Sequence, residues 1–422
     1  MQRRVVITGI GIVSSLGEGR AEFFQNLLRQ RDCIRKIPEA FERSYRFKSR
    51  FYVPFPPLDR AEKEIPTRYH GFLQGVQKIG IVSAKLALED AGYSIIREAR
   101  AFRIEELPPC SVCIGVGFIG VEEVFRTYAA HTCTATGQQP QCNGLPQCNR
   151  LIIPTMMPNS VSAWISILFQ VKGDCFTLNA SCASGTYAIG EAYRRIKDGY
   201  VSVVLAGGVE CLREESGCAM RGFDVLGALT KSEDGNPMPF SNRRSGFLFA
   251  EGGGCVMILE ELEHARRRSA PIYAEIADYR SDSDAHSILQ IEKSGVQIKR
   301  ILEELKGTRK IDYLNSHGTG TILNDAVEAR VIREVFGGSR NQPLINSTKG
   351  IIGHTIGASG AIEAAVVAMS IRESKVHGNA ITDPLDDLNL ATRTMDTPVR
   401  YGISTSYGFG GHNAGLLFKR YE

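Results

Sequence analysis

Four side chains in this sequence could perform acyl chemistry if the fold brings them together: Cys182, His317, His354 and Lys349. Cys182 sits in a run of small residues, NASCASG from Asn179 to Gly185, after an apolar, strand-like approach. Ile189, Ala192, Tyr193 and Ile196 follow at i, i+3, i+4 and i+7, which is helical spacing. Cys182 is therefore expected at a strand-to-helix turn, where unpartnered N–H groups and the helix dipole favour a thiolate. Small neighbours would leave its sulfur open to a substrate. A lone cysteine is more often buried and inert, so its partners decide its role.

His317 opens HGTGT at the end of an apolar run, with Thr319 and Thr321 just beyond it. Lys349 and His354 fall in STKGIIGHTIGASGAIEA, expected to be a glycine-flanked loop before a helix that carries Glu363. Phe409 is the one large apolar residue in the glycine turn GFGG. All four segments fall at predicted strand ends, where reacting groups gather in α/β sheets. A thiolate beside neutral imidazoles suits acyl transfer, and N–H groups of glycine-rich turns can hold a thioester oxyanion.

These groups need a scaffold. Arg4 to Ile12 (RVVITGIGI) reads as a strand buried on both faces. Cys110 to Gly117, Cys175 to Asn179 and Val201 to Gly208 read as further strands. Helices are expected over Glu22 to Gln30, Tyr69 to Ala91, Val121 to His131 and Pro158 to Gln170, and Cys211 to Ser245 has no clear period. Strand Cys255 to Glu260 and helix Glu261 to Arg268 follow, and a second series begins with a β-run at Pro271. It continues with strand Ile311 to Asn315, helix Val327 to Phe336, strand Leu344 to Asn346, helix Gly357 to Arg372, and a closing β-pair of Arg400 to Thr405 with Ala414 to Lys419. The alternation predicts mostly parallel sheet covered on both faces. Its recurrence divides the chain into two halves, residues 1–260 with the cysteine and 261–422 with the histidines and lysine.

Composition narrows the function further. A chain of 422 residues exceeds what one core normally serves. The net charge of +4 is too mild and too evenly spread for a nucleic-acid binder. No run approaches the roughly 18 apolar residues of a membrane span, and MQRRVVITGIG reads as strand and turn rather than a signal peptide; a cytoplasmic location is expected. Gly9 and Gly11 lack the third glycine of a dinucleotide fingerprint. The eleven cysteines are scattered, and the one cluster, Cys133, Cys142 and Cys148, lacks paired zinc spacing, so free thiols and no metal are expected.

Taken together, the Cys182 run, HGTGT, the Lys349 to His354 segment and GFGG resemble the β-ketoacyl synthases, the elongating condensing enzymes of the thiolase superfamily. RVVITGIG, LALEDAGY and the AGG at Ala206 to Gly208 extend the resemblance from Arg4 to Lys419. It implies an α/β, thiolase-like five-layered αβαβα fold of two pseudo-symmetric halves, acting as a dimer. It also implies substrates carried as thioesters on the phosphopantetheine of acyl carrier protein, with no further cofactor. On this resemblance Cys182 takes the acyl chain, and His317 and His354 hold the malonyl thioester carbonyl as neutral imidazoles. Lys349 organises the histidines and Glu363, and the N–H groups of Cys182 and Phe409 form the oxyanion hole. Phe409 gates the acyl pocket, whose depth depends also on Phe223. Thr319 and Thr321 hydrogen-bond the phosphopantetheine, and Asp325 is a supporting carboxylate. Arg46, Lys48, Arg50, Lys63 and Arg68 are candidates for carrier docking.

Departures at ASCASG, PFSNRR, FAEGGG and His412 favour a type II polyketide or polyene pathway over housekeeping fatty-acid elongation. There the chain would act as a homodimer or beside a Cys-less chain-length factor. A thiolase would need a second catalytic cysteine near the C-terminus, whereas the last here is Cys255. A non-catalytic partner subunit is disfavoured because Cys182 is present.

Overall fold

The computed structural model describes residues 3–422 except 44, 57, 59–61, 128–150, 380 and 386. The segment holding Cys133, Cys142 and Cys148, and the end of the helix expected to reach His131, lie outside the described residues; residues 121–127 are helical. The first five main strands are β1 (Val5–Ser14), β2 (Cys110–Val116), β3 (Cys175–Leu178), β4 (Val203–Cys211) and β5 (Gly252–Glu261). They lie in the order β3-β2-β4-β5-β1. The next five are β6 (Ala274–Ser283), β7 (Tyr313–Asn315), β8 (Leu344–Asn346), β9 (Tyr401–Gly408) and β10 (His412–Lys419), in the order β8-β7-β9-β10-β6. The two orders are the same order. In each half the second strand is parallel to the third and fourth, and the fifth is antiparallel to the fourth and first. The halves meet where β1 pairs antiparallel with β6, from Val5↔Ile276 to Ile7↔Ala274.

Side-chain alternation sorts the strands between layers. On β4, Val204 and Ala206 face a central layer, while Val203, Leu205 and Val209 face an outer one. The central layer holds α3 (Ser184–Lys197) and α6 (Ser359–Glu373); Ala188, Ile189 and Ala192 share its core with Ala361, Ile362 and Ala365. Helix α6 is apolar around most of its circumference, as a helix enclosed between two sheets must be. Outside the first sheet lie α1 (Gly75–Asp90) and α2 (Ser160–Phe169); outside the second lie α4 (Val296–Lys306) and α5 (Ile322–Phe336). These make the five layers.

Several expected boundaries move for identifiable reasons. Helix α1 begins at Gly75 rather than Tyr69, because Gln74 and Gln77 form a reciprocal capping box there. Gly9 and Gly11 serve packing: a Cβ on either would lie about 2 Å from a carbonyl oxygen of α1, Ala87 or Ser83. The aperiodic stretch contains a helix, Cys218–Val225, started by Glu214, whose carboxylate accepts from Ser216 and Ala219 N–H. Helix α4 lies where no element was expected, although Ile298, Ile301, Leu302 and Leu305 keep its apolar period. No described helix is long and apolar enough to cross a membrane.

The pseudo-symmetry extends to the turns that feed the central helices. Ser181–Ala183 and Ile356–Ala358 are both single 3₁₀ turns entered through a non-glycine residue in the left-handed region, Ser181 at φ 52° and Ile356 at φ 45°. In each, the first helical serine accepts the N–H four residues earlier: Ser184 from Ala180 at 2.9 Å, Ser359 from Thr355 at 3.1 Å. Cys182 thus corresponds to Gly357. Small residues bring the helix starts together, since a Cβ on Gly185 would lie 2.7 Å from the backbone nitrogen of Ala361. Gly185→Val should therefore destabilise the protein by about 1–3 kcal/mol, as overpacked cores do, read as a lower midpoint in urea unfolding; an unchanged midpoint would show that the helices can part.

Candidate active site

Strand β3 ends in the turn that carries Cys182, and β9 ends in the glycine turn that carries Phe409. A Cβ on Gly408 would stand 3.2 Å from the Cys182 nitrogen, so only glycine lets the two turns come this close. The Phe409 N–H lies near enough to the Cys182 sulfur to favour its thiolate. The sulfur is not open, as small neighbours suggested; Cys182 is only 6% exposed. The cluster that buries it includes Phe41, Phe47 and Tyr52 from the N-terminal segment, together with Met220, Phe223 and Phe249. Phe409 packs on the rim of the same cluster.

This enclosure reverses the expected ionisation. Burial pushes the Cys182 thiol up, and the Ser181 hydroxyl, the Lys349 charge and the Phe409 N–H only partly oppose it. The resting group is a thiol.

The two histidines meet each other, and His354 borders the Cys182 cluster. His317 follows β7, and its ring meets that of His354 at 5.7 Å and 84°. Phe247, a member of the Cys182 cluster, meets the His354 ring at 5.2 Å, and Ile356 lines the same cluster. The Ile356 N–H donates to His354 Nδ1 at 3.2 Å, with Ser359 Oγ also 2.9 Å from that nitrogen. An accepting Nδ1 leaves the proton of the neutral ring on Nε2. Burial holds both imidazoles well below their usual pKa; the Lys349 charge adds to this for each, and His354 adds further for His317. Both are neutral at pH 7.

Lys349 starts a short helix, Lys349–Ile352, where a loop was expected. Its ammonium donates to Glu363 Oε1 at 2.5 Å and to the His317 carbonyl at 2.9 Å, with both side chains of the ion pair 1% exposed. Burial raises Glu363 to about 7, against the pull of Lys349. A lysine spent on two acceptors organises its neighbours rather than abstracting a proton.

The remaining candidates fall at measured places. Asp325 is wholly buried and accepts from Phe240 N–H at 2.8 Å and Gly320 N–H at 3.2 Å, tying HGTGT to the PFSN segment. Thr319 and Thr321 hydrogen-bond each other at 2.9 Å on the same loop. Two further buried carboxylates hold the loops around these residues. Glu328 accepts from His317 N–H at 2.9 Å and Gly318 N–H at 2.8 Å, and burial raises it to about 7. Glu210 accepts from Gly117, Phe118 and Gly357. Both had a signal in the sequence: Glu328 falls one helical turn after Asp325, and Glu210 is the one acid in the apolar strand VVLAGGVEC. Among the described residues, no group of three or more His, Cys, Asp or Glu could hold a metal ion. The grooves of about 750 and 510 Å³ elsewhere on the molecule contain none of these residues.

Comparison with known proteins agrees with this geometry along the chain. Residues 2–265 match the family Beta-ketoacyl synthase, N-terminal domain, and residues 273–382 match Beta-ketoacyl synthase, C-terminal domain. A 3-oxoacyl-[acyl-carrier-protein] synthase 2 of Staphylococcus aureus (strain COL) is 32% identical over 432 aligned positions, covering 100% of this chain and 99% of the relative. A 3-oxoacyl-[acyl-carrier-protein] synthase 1 of Haemophilus influenzae is also 32% identical, with 100% of both chains covered. Among solved structures, a β-ketoacyl synthase from Burkholderia phymatum STM815 superposes with a TM-score of 0.84 at 28% identity, covering 100% of both chains. A type II polyketide ketosynthase, solved with its acyl-carrier protein and bound to the hexaketide, gives 0.84 at 25% identity, again covering 100% of both. With its two domain families matched in order and its relatives aligned end to end, the chain belongs to the β-ketoacyl synthase family and is an acyltransferase-type condensing enzyme of the thiolase fold.

Proposed function

We propose that the protein joins an acyl group held on Cys182 to a malonyl unit delivered on acyl carrier protein, with loss of CO2. The observation that carries this reading is a pair of buried, neutral imidazoles in ring contact, one of which, His354, packs on Phe247 of the cluster that buries the Cys182 thiol. In the first half-reaction the sulfur attacks the incoming thioester carbonyl. The carrier thiol leaves with the proton that Cys182 gives up, and the N–H groups of Cys182 and Phe409 hold the oxyanion. In the second, the Nε2–H groups of His317 and His354 donate to the malonyl thioester carbonyl. The carbon–carboxylate bond breaks, CO2 departs, and the electron pair remains as an enolate that the two donors stabilise. Its carbon attacks the Cys182 thioester, forming the new carbon–carbon bond and releasing the sulfur as a thiolate, which takes up a proton from solvent to restore the resting thiol. Every electron and proton is accounted for without a metal or redox cofactor.

Thr319 and Thr321, on the loop that follows His317, receive the phosphopantetheine arm in this reading, and Phe223 with Phe409 shapes the acyl pocket. Carrier docking is supported by the segment from Arg46 to Arg50. Phe47 and Ser49 turn inward while Arg46, Lys48 and Arg50 face solvent, and Asp224 fixes the segment by accepting the N–H groups of Lys48 and Ser49 at 3.0 Å. Lys63 and Arg68 extend the exposed basic surface. A dimer is supported by β3, which lies at one end of the sheet, and by the exposed apolar side chains Phe118, Met156 and Ile167. The partner is a second copy or a Cys-less chain-length factor, and a cytoplasmic setting suits the free thiols.

We assign the enzyme to a type II polyketide or polyene pathway, in line with its departures at the nucleophile and at His412. The curated relatives instead carry the names of 3-oxoacyl synthases, which supports fatty-acid elongation as the second reading. The mass of the product formed with successive acyl-carrier substrates decides between them.

Cys182→Ala should abolish condensation, whereas Cys182→Gln, which resembles the acylated state, should retain malonyl decarboxylation; continued elongation by the alanine variant would remove Cys182 as nucleophile. His317→Ala or His354→Ala should slow decarboxylation by roughly 10²–10⁴-fold, as loss of such donors does. A raised thiol pKa means less thiolate at a given pH than a free cysteine has. Alkylation of Cys182 by iodoacetamide should therefore climb with pH beyond 9, and a plateau near pH 7 would contradict the buried-thiol ground state.

A further inference from the structure

We propose that Glu210 is a positioning residue that ties the wall of the acyl pocket to the turn that aims His354. The inference rests on the condensing reaction given above. Glu210 stands near the end of β4 and is wholly buried. Its Oε2 accepts from Gly357 N–H at 3.0 Å and Gly117 N–H at 3.1 Å, and its Oε1 accepts from Phe118 N–H at 3.1 Å. The room is made for it: a Cβ on Gly117 or Gly357 would lie 2.4 or 2.9 Å from Oε2.

Each side of the carboxylate leads to a working part. On one side, the Phe118 ring meets the Phe223 ring edge-on at 6.4 Å, and Phe223 belongs to the cluster around the sulfur. On the other, Gly357 follows Ile356, whose N–H fixes the His354 ring. An acyl chain that displaces Phe118 therefore pulls on the same carboxyl group that holds the His354 turn. The pseudo-symmetry gives this contact its meaning. Gly357 occupies in its turn the place that Cys182 occupies in the other, so Glu210 presents a carboxylate to the counterpart of the Cys182 N–H. One turn is left for the substrate oxyanion; its twin is filled from within the protein and held still.

Glu210 touches no reacting atom, so its role shows in how decarboxylation responds to its charge. The titratable groups that face it are Cys182 and Cys211. Burial raises the Glu210 carboxyl to about 8, opposed by the N–H groups of Gly357, Phe118, Gly117 and Cys211. Below that pH a proton competes with the three donors for two oxygens; above it the anion accepts all of them. The grip on the His354 turn, and with it the decarboxylation rate, should rise as pH passes through about 8.

The test measures decarboxylation of malonyl acyl carrier protein between pH 6 and 9.5 in the Cys182→Gln protein, with and without Glu210→Gln. The second change should lower the rate about tenfold at high pH and remove the rise near 8. In the protein with Cys182 intact, acylation of the thiol should stay within about threefold. Gly117→Ala, which crowds the carboxylate without altering its charge, should lower the rate in the same sense and serves if the glutamine variant does not fold. A rise of the same shape in both proteins, or a uniform loss at every pH, overturns the role of Glu210 while leaving the condensing reaction intact. A Cys182→Gln protein that decarboxylates at no pH overturns the reaction itself, and this role with it.

Discussion

The contact between the starts of α3 and α6 governs the site. Gly185 against Ala361 brings two strained turns side by side, one presenting Cys182 and the other following His354. Left-handed φ angles at Ser181 and Ile356 are unfavourable for residues with a Cβ, and for a β-branched one especially so. They persist because the serines that open both helices hold the preceding N–H groups, and because the central layer leaves the turns nowhere to relax. Cys182 and His354, from opposite halves of the chain, are thereby placed by one helix–helix contact.

Dehydration then sets the chemistry. The same burial that lifts the thiol pKa depresses those of both histidines, so the site holds a neutral thiol and neutral imidazoles beside the internal ion pair of Lys349 with Glu363. Neutral imidazoles that donate from Nε2 suit an enolate better than imidazolium would, because they stabilise developing charge without trapping it as a neutral enol. Lys349 contributes through its field, which opposes protonation of either ring, and through its bond to the His317 carbonyl. The supporting carboxylates are held mainly by backbone N–H groups, and so they fix loops rather than exchange protons with substrate.

Much of this was legible in the sequence, for a physical reason. The strand runs, the Cys182 turn and the HGTGT and GFGG loops are local strings whose apolar period or glycine content dictates their shape. What escaped depends on distant parts of the chain. The burial of the sulfur in a cluster that draws Phe41, Phe47 and Tyr52 from the N-terminal segment is a tertiary effect with no period of its own, and it turned an expected thiolate into a thiol. Glu210 and Glu328 look like ordinary acids until the loops they bind are folded over them, and α1 starts late because a capping box outweighs the preceding aromatic residues. Pathway and partner depend on pocket walls and surfaces that the motifs do not encode.

The central claim is that one sulfur, enclosed by aromatic rings beside two neutral histidines, carries the growing chain. It is tested most directly by exposing the protein to an isotopically labelled acyl carrier protein thioester, digesting it, and locating the label by mass spectrometry. The account predicts one acyl group per chain, on the peptide containing Cys182. Label on another cysteine, such as the exposed Cys175, or no covalent acyl group at all, would contradict it.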